Sequence, residues 1–159
     1  MCKGLFAMNL QTRITPVSPD YESCADCYAR LMIYPGGRHP DVITDILHIQ
    51  PTSVNVVGDV ITNSRGRTRQ IKNSGWFLST EGLVLSKDIR QHIDWLVKII
   101  YPRHHSLKEI QNMDEMKITL KCVWFSLLGH SGPVLWPEQM RALAELDLEC
   151  SFDIYFVNQ

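Results

Sequence analysis

Residues 40–59 read PDVITDILHIQPTSVNVVGD and are followed, after a basic loop, by Gly75-Trp76. Pro40 suits the first turn of a helix, where its missing N–H has no partner to lose. The apolar side chains that follow share one helical face: Val42, Ile43, Ile46 and Leu47. Pro51 ends this helix, and the Val- and Ile-rich residues 53–61 predict a strand. The stretch therefore predicts a helix followed by a strand.

Similar patterns on both sides of this stretch predict the rest of the fold. Apolar and polar residues alternate at 27–34, 117–126 and 151–157, and a short strand is expected at 76–78. A helix is predicted at 88–100 with Ser86 as its cap, another begins at Pro137, and the capping-box spacing at 106–109 predicts one further short turn. Such strand–helix–strand units predict an α+β fold. We expect a mainly antiparallel sheet of about four to six strands with helices packed on one side, in the ferredoxin-like style.

The chain of 159 residues has the length of one domain. Residues 1–26 mix proline, serine and threonine with few periodic apolar residues, which predicts an N-terminal arm or irregular lead-in. Residues 27–159 are predicted to form a single α+β domain.

Charge and hydropathy exclude several classes of protein. The formal net charge of −1 and the sequence pI of about 6.6 give no overall field that attracts nucleic acid or an anionic membrane. No apolar run reaches the ~18 residues of a membrane span, and the first residues carry polar breaks that an export signal lacks. Five cysteines in such a chain indicate reduced thiols. We therefore expect a cytoplasmic protein without a membrane partner.

One short motif resembles a catalytic motif. The segment GHSGP at 129–133 is similar to the nucleophile elbow G-x-S-x-G, but Pro133 replaces the last glycine and the tight turn is lost. A hydrolase that uses Ser131 or His130 is therefore the lowest-ranked of the functions considered. We expect no catalytic residues.

Two further patterns contain metal-binding residue types. Cys24 and Cys27 have the spacing of a redox pair or of half a zinc site, but the sequence offers no second pair of ligands at a matching spacing. The histidines are scattered apart from His104-His105, whose side chains point in different directions on a helix. We predict neither a metal site nor a cofactor.

A basic loop follows the predicted strand at 53–61. Arg65, Arg67, Arg69 and Lys72 alternate along it, and Trp76 comes shortly after. One interpretation is a nucleic-acid contact, in which the cations bind phosphates and Trp76 stacks on a base. The other interpretation is a solvated turn with Trp76 in the core.

Acidic residues dominate the last predicted helix and strand, where only Arg141 opposes them. They are Glu138, Glu145, Asp147, Glu149 and Asp153. Most such charge is a solvated helix face. If the chain binds a protein, this surface would attract a basic partner and speed association.

The pattern PD-x-IT-x-x-L-x-I-x-PT at 40–52, with Gly58-Asp59, Gly75-Trp76 and the helix at 88–100, resembles a bacterial family catalogued as domain of unknown function 4279. The resemblance implies an immunity protein of a polymorphic, contact-dependent toxin system. Such a protein would bind a cognate toxin domain and block its active site. The motif carries no enzyme residues, so it implies a binding protein rather than an enzyme; a small nucleic-acid-binding or regulatory domain is the alternative.

Overall fold

The strand β1 (Cys24–Tyr34) lies at the centre of a five-stranded sheet in this computed structural model, which describes residues 10–157. The other strands of that sheet are β2 (Ser53–Asn55), β5 (Gly75–Ser79), β6 (Lys117–Ser126) and β7 (Cys150–Phe156). The helices that connect them are α1 (Asp41–Leu47), α2 (Ile89–Ile100), α3 (His104–Gln111) and α4 (Pro137–Glu145). A separate hairpin, β3 (Val60–Thr62) and β4 (Thr68–Gln70), is inserted between β2 and β5. Short 3-10 helices occur at Leu10–Thr12 and Tyr101–Arg103.

The strand order β2-β5-β1-β6-β7 confirms the predicted architecture. All neighbouring strands are antiparallel except β6 and β7, which are parallel. The unit β1-α1-β2 has β5 between its two strands, and the unit from β5 through α2 and α3 to β6 has β1 between its two strands. This is the split βαβ arrangement of ferredoxin-like folds, extended by α4 and β7.

The core occupies one side of this sheet. Alternate residues of β1 are fully buried there, among them Ala29, Leu31 and Ile33, and they pack with apolar residues of all the helices α1 to α4. Trp76 of β5 is also fully buried, and its Nε1 donates to Thr44 Oγ1 at 3.0 Å. The helices therefore lie on one side, as predicted. None of the helices formed by residues 10–157 is long and apolar enough to cross a membrane.

Several element boundaries differ from the predictions. The strand expected at 53–61 is two strands, because Gly58 adopts a φ of 94° between them and β3 pairs with β4 instead of joining the sheet. The cap of α2 is Asp88, whose carboxylate accepts from Arg90 N, so the prediction of Ser86 was wrong. The turn expected at 106–109 is the longer helix α3. Strand β1 starts at Cys24 rather than at residue 27.

A buried ion pair attaches the lead-in to the domain. The guanidinium of Arg90 binds both carboxylate oxygens of Asp88, at 2.8 and 2.6 Å, and both side chains are almost fully buried. The remaining donors of Arg90 reach the carbonyls of Thr15 and Pro16 at 2.7 and 3.0 Å. Residues 15 and 16 of the lead-in are therefore fixed against the start of α2, although they belong to no helix or strand.

Trp136 strengthens the same attachment. The guanidinium carbons of Arg13 and Arg90 lie 4.5 and 4.7 Å from the centre of its indole ring. Arg13 also forms a two-bonded ion pair with Glu138, at 2.6 and 2.7 Å, in the first turn of α4. The start of α4, the lead-in and the start of α2 are thus held together around one tryptophan.

Replacing Arg90 by alanine should strongly destabilise the protein. The change leaves the Asp88 carboxylate buried without its partner, so the free energy of unfolding should fall by about 3–5 kcal/mol. Urea unfolding measures it, with the exposed Arg103→Ala as a control that should change by less than about 0.5 kcal/mol. Equal stability of the two variants would contradict the role assigned to this pair.

Candidate functional site

The sheet face opposite the helices is a surface of regular structure that the core does not use. In β1 the buried residues alternate with partly exposed ones, and cross-strand partners share a face. We call this surface the open face; its members are Tyr28, Arg30, Met32, Tyr34, Phe77, Ser79, Thr119, Lys121, Val123, Phe125, Ser151, Asp153 and Tyr155. None of them belongs to the core cluster between sheet and helices.

Aromatic and charged side chains pack on the open face. The rings of Phe125 and Tyr155 stack at 5.3 Å, and Tyr155 remains 51% exposed. Lys121 pairs with Asp153 at 3.1 Å. Tyrosine, phenylalanine and arginine are residue types enriched in protein interfaces, whereas the lysine, aspartate and serines of this face are types depleted there.

Arg30 lies in the middle of the open face. Its Nη2 contacts Glu81 Oε2 at 3.1 Å, and its guanidinium lies 5.4 Å from the centre of the Tyr28 ring. The Nε atom is buried and has no hydrogen-bond partner among the described residues. Arg30 is thus held in place, while its Nε donor has no partner within residues 10–157.

The hairpin of β3 and β4 is the most basic segment of the described chain. Every residue of both strands is exposed. Residues 60–73 contain Arg65, Arg67, Arg69 and Lys72 and no acidic residue. The side chain of Asn63 shapes the tip, since its Oδ1 accepts from the backbone N–H groups of Arg65 and Arg67, both at 3.0 Å.

A groove of about 690 Å³ separates the hairpin from the open face. Its sheet side is lined by Arg30, Met32, Tyr34, Ser53, Asn55 and Phe77, and its hairpin side by Arg69, Gln70, Ile71, Lys72 and Asn73. Three of these side chains are cationic and none is acidic. The groove is therefore a positively charged site in a chain with a net charge of −1.

The structure divides the predicted nucleic-acid residues into three groups. Arg65 and Arg67 lie at the hairpin tip, whereas Arg69 and Lys72 line the groove. Trp76 is fully buried, so its ring has no free face for a base. The stacking role of Trp76 in the nucleic-acid alternative was wrong, because the alternation of β5 directs this side chain towards α1.

The acidic residues do not form one strip. Asp153 belongs to the open face, whereas Glu145, Asp147 and Glu149 lie around the end of α4 and the start of β7. Glu138 is paired with Arg13, whose guanidinium lowers the pKa of this carboxyl. Three of the five therefore have a basic partner: Arg13 for Glu138, Lys108 for Asp147 and Lys121 for Asp153.

The four cysteines within residues 10–157 lie in the sheet as two pairs. Cys24 and Cys27 are both buried at the start of β1, so this pair lies within a strand and not before one. Cys122 and Cys150 lie on neighbouring strands with their Sγ atoms 3.9 Å apart. Within residues 10–157, histidine, cysteine and acidic side chains do not gather in groups of three or more suited to a metal ion.

Two hydroxyl–histidine contacts bear on the hydrolase alternative. Ser131 Oγ lies 3.2 Å from Nδ1 of His130 in an exposed loop, and no hydrogen bond or ion pair connects His130 to a carboxylate in the described part of the chain. Thr80 Oγ1 lies 2.6 Å from Nδ1 of His92, but both residues are fully buried. The first contact lacks an orienting acid and the second lacks access for a substrate.

His92 is a fully buried structural residue. Its Nε2 lies 2.6 Å from the carbonyl of Ser86, which can only accept, so Nε2 carries a proton, while Nδ1 lies 2.6 Å from Thr80 Oγ1, which also donates to the carbonyl of Ala29 at 3.1 Å. Thr80 Oγ1 in turn accepts from Ala29 N at 2.9 Å. Burial lowers the pKa of His92 below its usual 6.5.

The hydrophobic period at 27–34 predicts the polar side of β1 but not its position beside the groove. The alternation at 27–34 separates Tyr28, Arg30, Met32 and Tyr34 from the buried residues, which is a signal for a second face. The groove itself also needs the hairpin, about forty residues later in the chain, and no spacing rule predicts that contact.

A comparison with protein families gives a match. The statistical model of a family described as a domain of unknown function (DUF4279) matches residues 25–157. Neither a curated protein nor a solved structure matches the chain.

Acidification should destabilise the protein through His92. The folded pKa lies below 6.5, so the unfolded chain takes up the proton first and the free energy of unfolding falls as the pH drops below 6.5. Protonation of this residue can lower the free energy of unfolding by up to about 1.4 kcal/mol per pH unit. His92→Gln should remove that component from urea unfolding curves, whereas the exposed His105→Gln should retain it. An unchanged pH slope in His92→Gln would show that other groups cause the loss.

Proposed function

The chain belongs to the family described as a domain of unknown function (DUF4279), and we propose that it is a binding protein, in particular an immunity protein that neutralises a cognate bacterial toxin domain. The open face is the observation that carries this proposal. A sheet normally covers an aromatic-rich face with other elements, whereas here no helix covers that face: Tyr155 is exposed, most of the other members are partly exposed, and only Phe77, Ser79 and Val123 are buried. Such a surface gains stability when a partner covers it.

The rigid sheet and the projecting hairpin have separate tasks in this proposal. The open face provides the apolar centre of the interface, where a few buried aromatic and arginine side chains contribute most of the binding energy. The hairpin projects from the sheet with four cations, so it fits a cleft lined by carboxylates in the partner. Occupying that cleft would block the toxin's active site.

The acidic residues at the end of α4 form a second surface that could contact a basic partner. Glu145, Asp147 and Glu149 are exposed there, and Tyr101 OH donates to Glu145 Oε2 at 3.1 Å. This surface lies on the helix side of the molecule. The two surfaces can therefore be tested separately.

A nucleic-acid-binding domain is the second candidate function. The observation that favours it is the run of four cations without an acid at 60–73, next to an open sheet face with aromatic residues. Some split βαβ domains bind single-stranded RNA on aromatic residues of their open sheets. This is an analogy of fold alone, and the choice between the two functions depends on the residues of the site.

Two tyrosines of similar exposure distinguish the two protein-binding surfaces. Tyr155 on the open face is 51% exposed and Tyr101 beside Glu145 is 46% exposed. With the toxin domain encoded by the neighbouring gene as partner, Tyr155→Ala should weaken the complex by about 2 kcal/mol, roughly thirtyfold in Kd. Tyr101→Ala should change Kd by less than about threefold. Calorimetry and survival of cells that produce the toxin measure both effects.

The opposite ranking would place the partner on the acidic surface. If the toxin stays fully active in cells that produce the intact chain, the immunity proposal is wrong. Salt-dependent binding of single-stranded RNA would instead support the second candidate: four phosphate contacts predict a slope of about −3 in log K against log salt. The slope should then become shallower by about 0.7 when Arg67 is replaced by alanine.

A further inference from the structure

The geometry points to a ligand site in the groove between the hairpin and the open face, and we propose that its ligand is a nucleoside monophosphate, a planar ring that carries one phosphate. This inference goes beyond the proposed function and does not depend on a toxin partner. It rests on the charge, the lining and the size of the groove.

The charge of the groove selects an anion. Arg30 and Arg69 approach from the sheet and from the hairpin, and Lys72 lies near the base of the hairpin. No carboxylate lines the groove. Glu81, which pairs with Arg30, lies outside the lining. Arginine side chains bind phosphate with a planar fork of donors, and lysine adds a point charge.

Arg30 is prepared for such a contact. Its contacts with Glu81 and with the Tyr28 ring restrict the guanidinium before any ligand arrives, so less side-chain entropy is lost on binding. Its buried Nε has no partner among the described residues, whereas buried N–H groups in folded proteins almost always have one. Arg30 therefore contributes a guanidinium of restricted position to the lining of the groove.

The sheet side of the groove offers a ring the partly exposed side chains of Met32 and Tyr34, supported by Phe77, which is only 7% exposed. Met32 and Phe77 are cross-strand partners, and Tyr34 packs edge-on against Phe77 with ring centres 5.9 Å apart. A Cβ atom at Gly75 would lie 2.4 Å from the Phe77 ring, so glycine at this position allows that ring to lie close along the sheet. Aromatic and thioether groups stack well on a flat ligand ring.

Polar side chains complete the groove. The amides of Asn55 and Asn73 lie on opposite sides and each offers a donor and an acceptor, which is what the edge of a nucleobase requires. The volume of about 690 Å³ falls within the range of small-molecule sites. An acidic peptide would satisfy the cations but would leave the apolar surface without a ring.

Calorimetry in phosphate-free buffer, with AMP and GMP as probes, tests this site. We expect at least one of them to bind with a Kd of about 0.1 mM, and adenosine or inorganic phosphate alone to bind about tenfold more weakly or worse. Amide shifts in NMR spectra should concentrate on residues 53–55 and 69–73.

Two double variants of equal charge provide the matched comparison. Arg69→Ala with Lys72→Ala removes two cations from the groove, whereas Arg65→Ala with Arg67→Ala removes two from the same hairpin outside it. Nucleotide affinity should fall at least about tenfold in the first variant and change less than about twofold in the second. Circular dichroism confirms that both variants fold.

Three results would overturn the proposal. They are the failure of both nucleotides to bind at about 5 mM, an equal loss of affinity in the two double variants, and tighter binding of a glutamate-rich peptide than of the nucleotides. If nucleotide affinity depends equally on all four cations and the protein also binds single-stranded RNA, the hairpin is a nucleic-acid contact, as in the second candidate function. The toxin experiment has a different readout, so either proposal can fail alone.

Discussion

The alternation of buried and exposed residues in β1 is the constraint on which the rest of the structure depends. Leu31 pairs with Leu78 on one side and Leu120 on the other, so a single register places three strands around one apolar row. A shift by one residue would expose that row and bury Arg30, which makes the register strongly specified. The same register creates the open face, so the core and the candidate recognition surface are two results of one pairing.

Much of the fold can be predicted from the sequence because its elements have clear local signals. The alternating run of β6 and the proline at the start of α4 were predicted with correct bounds, and the ferredoxin-like arrangement is confirmed. The predictions failed where the outcome depends on partners distant in the chain. A Val-rich run does not reveal that its second half pairs with β4, and the cap of α2 depends on the buried contacts of Arg90.

The candidate site was predictable only in part, for the same reason. The cations of the hairpin are visible as a run of charge, but their division between Arg65 and Arg67 at the tip and Arg69 and Lys72 in the groove is a tertiary property. The acidic residues show the converse. They are close in sequence, yet the crossing from α4 to β7 puts Asp153 on the opposite side of the sheet from Glu145.

The exposed hairpin also has an evolutionary consequence. None of the six residues in β3 and β4 contributes to the core, and the segment leaves and re-enters the body of the protein between β2 and β5. Mutation, lengthening or shortening of this segment is therefore nearly free of selection for folding. A descendant of this chain can therefore change the length and charge of the hairpin while the sheet and helices stay unaltered.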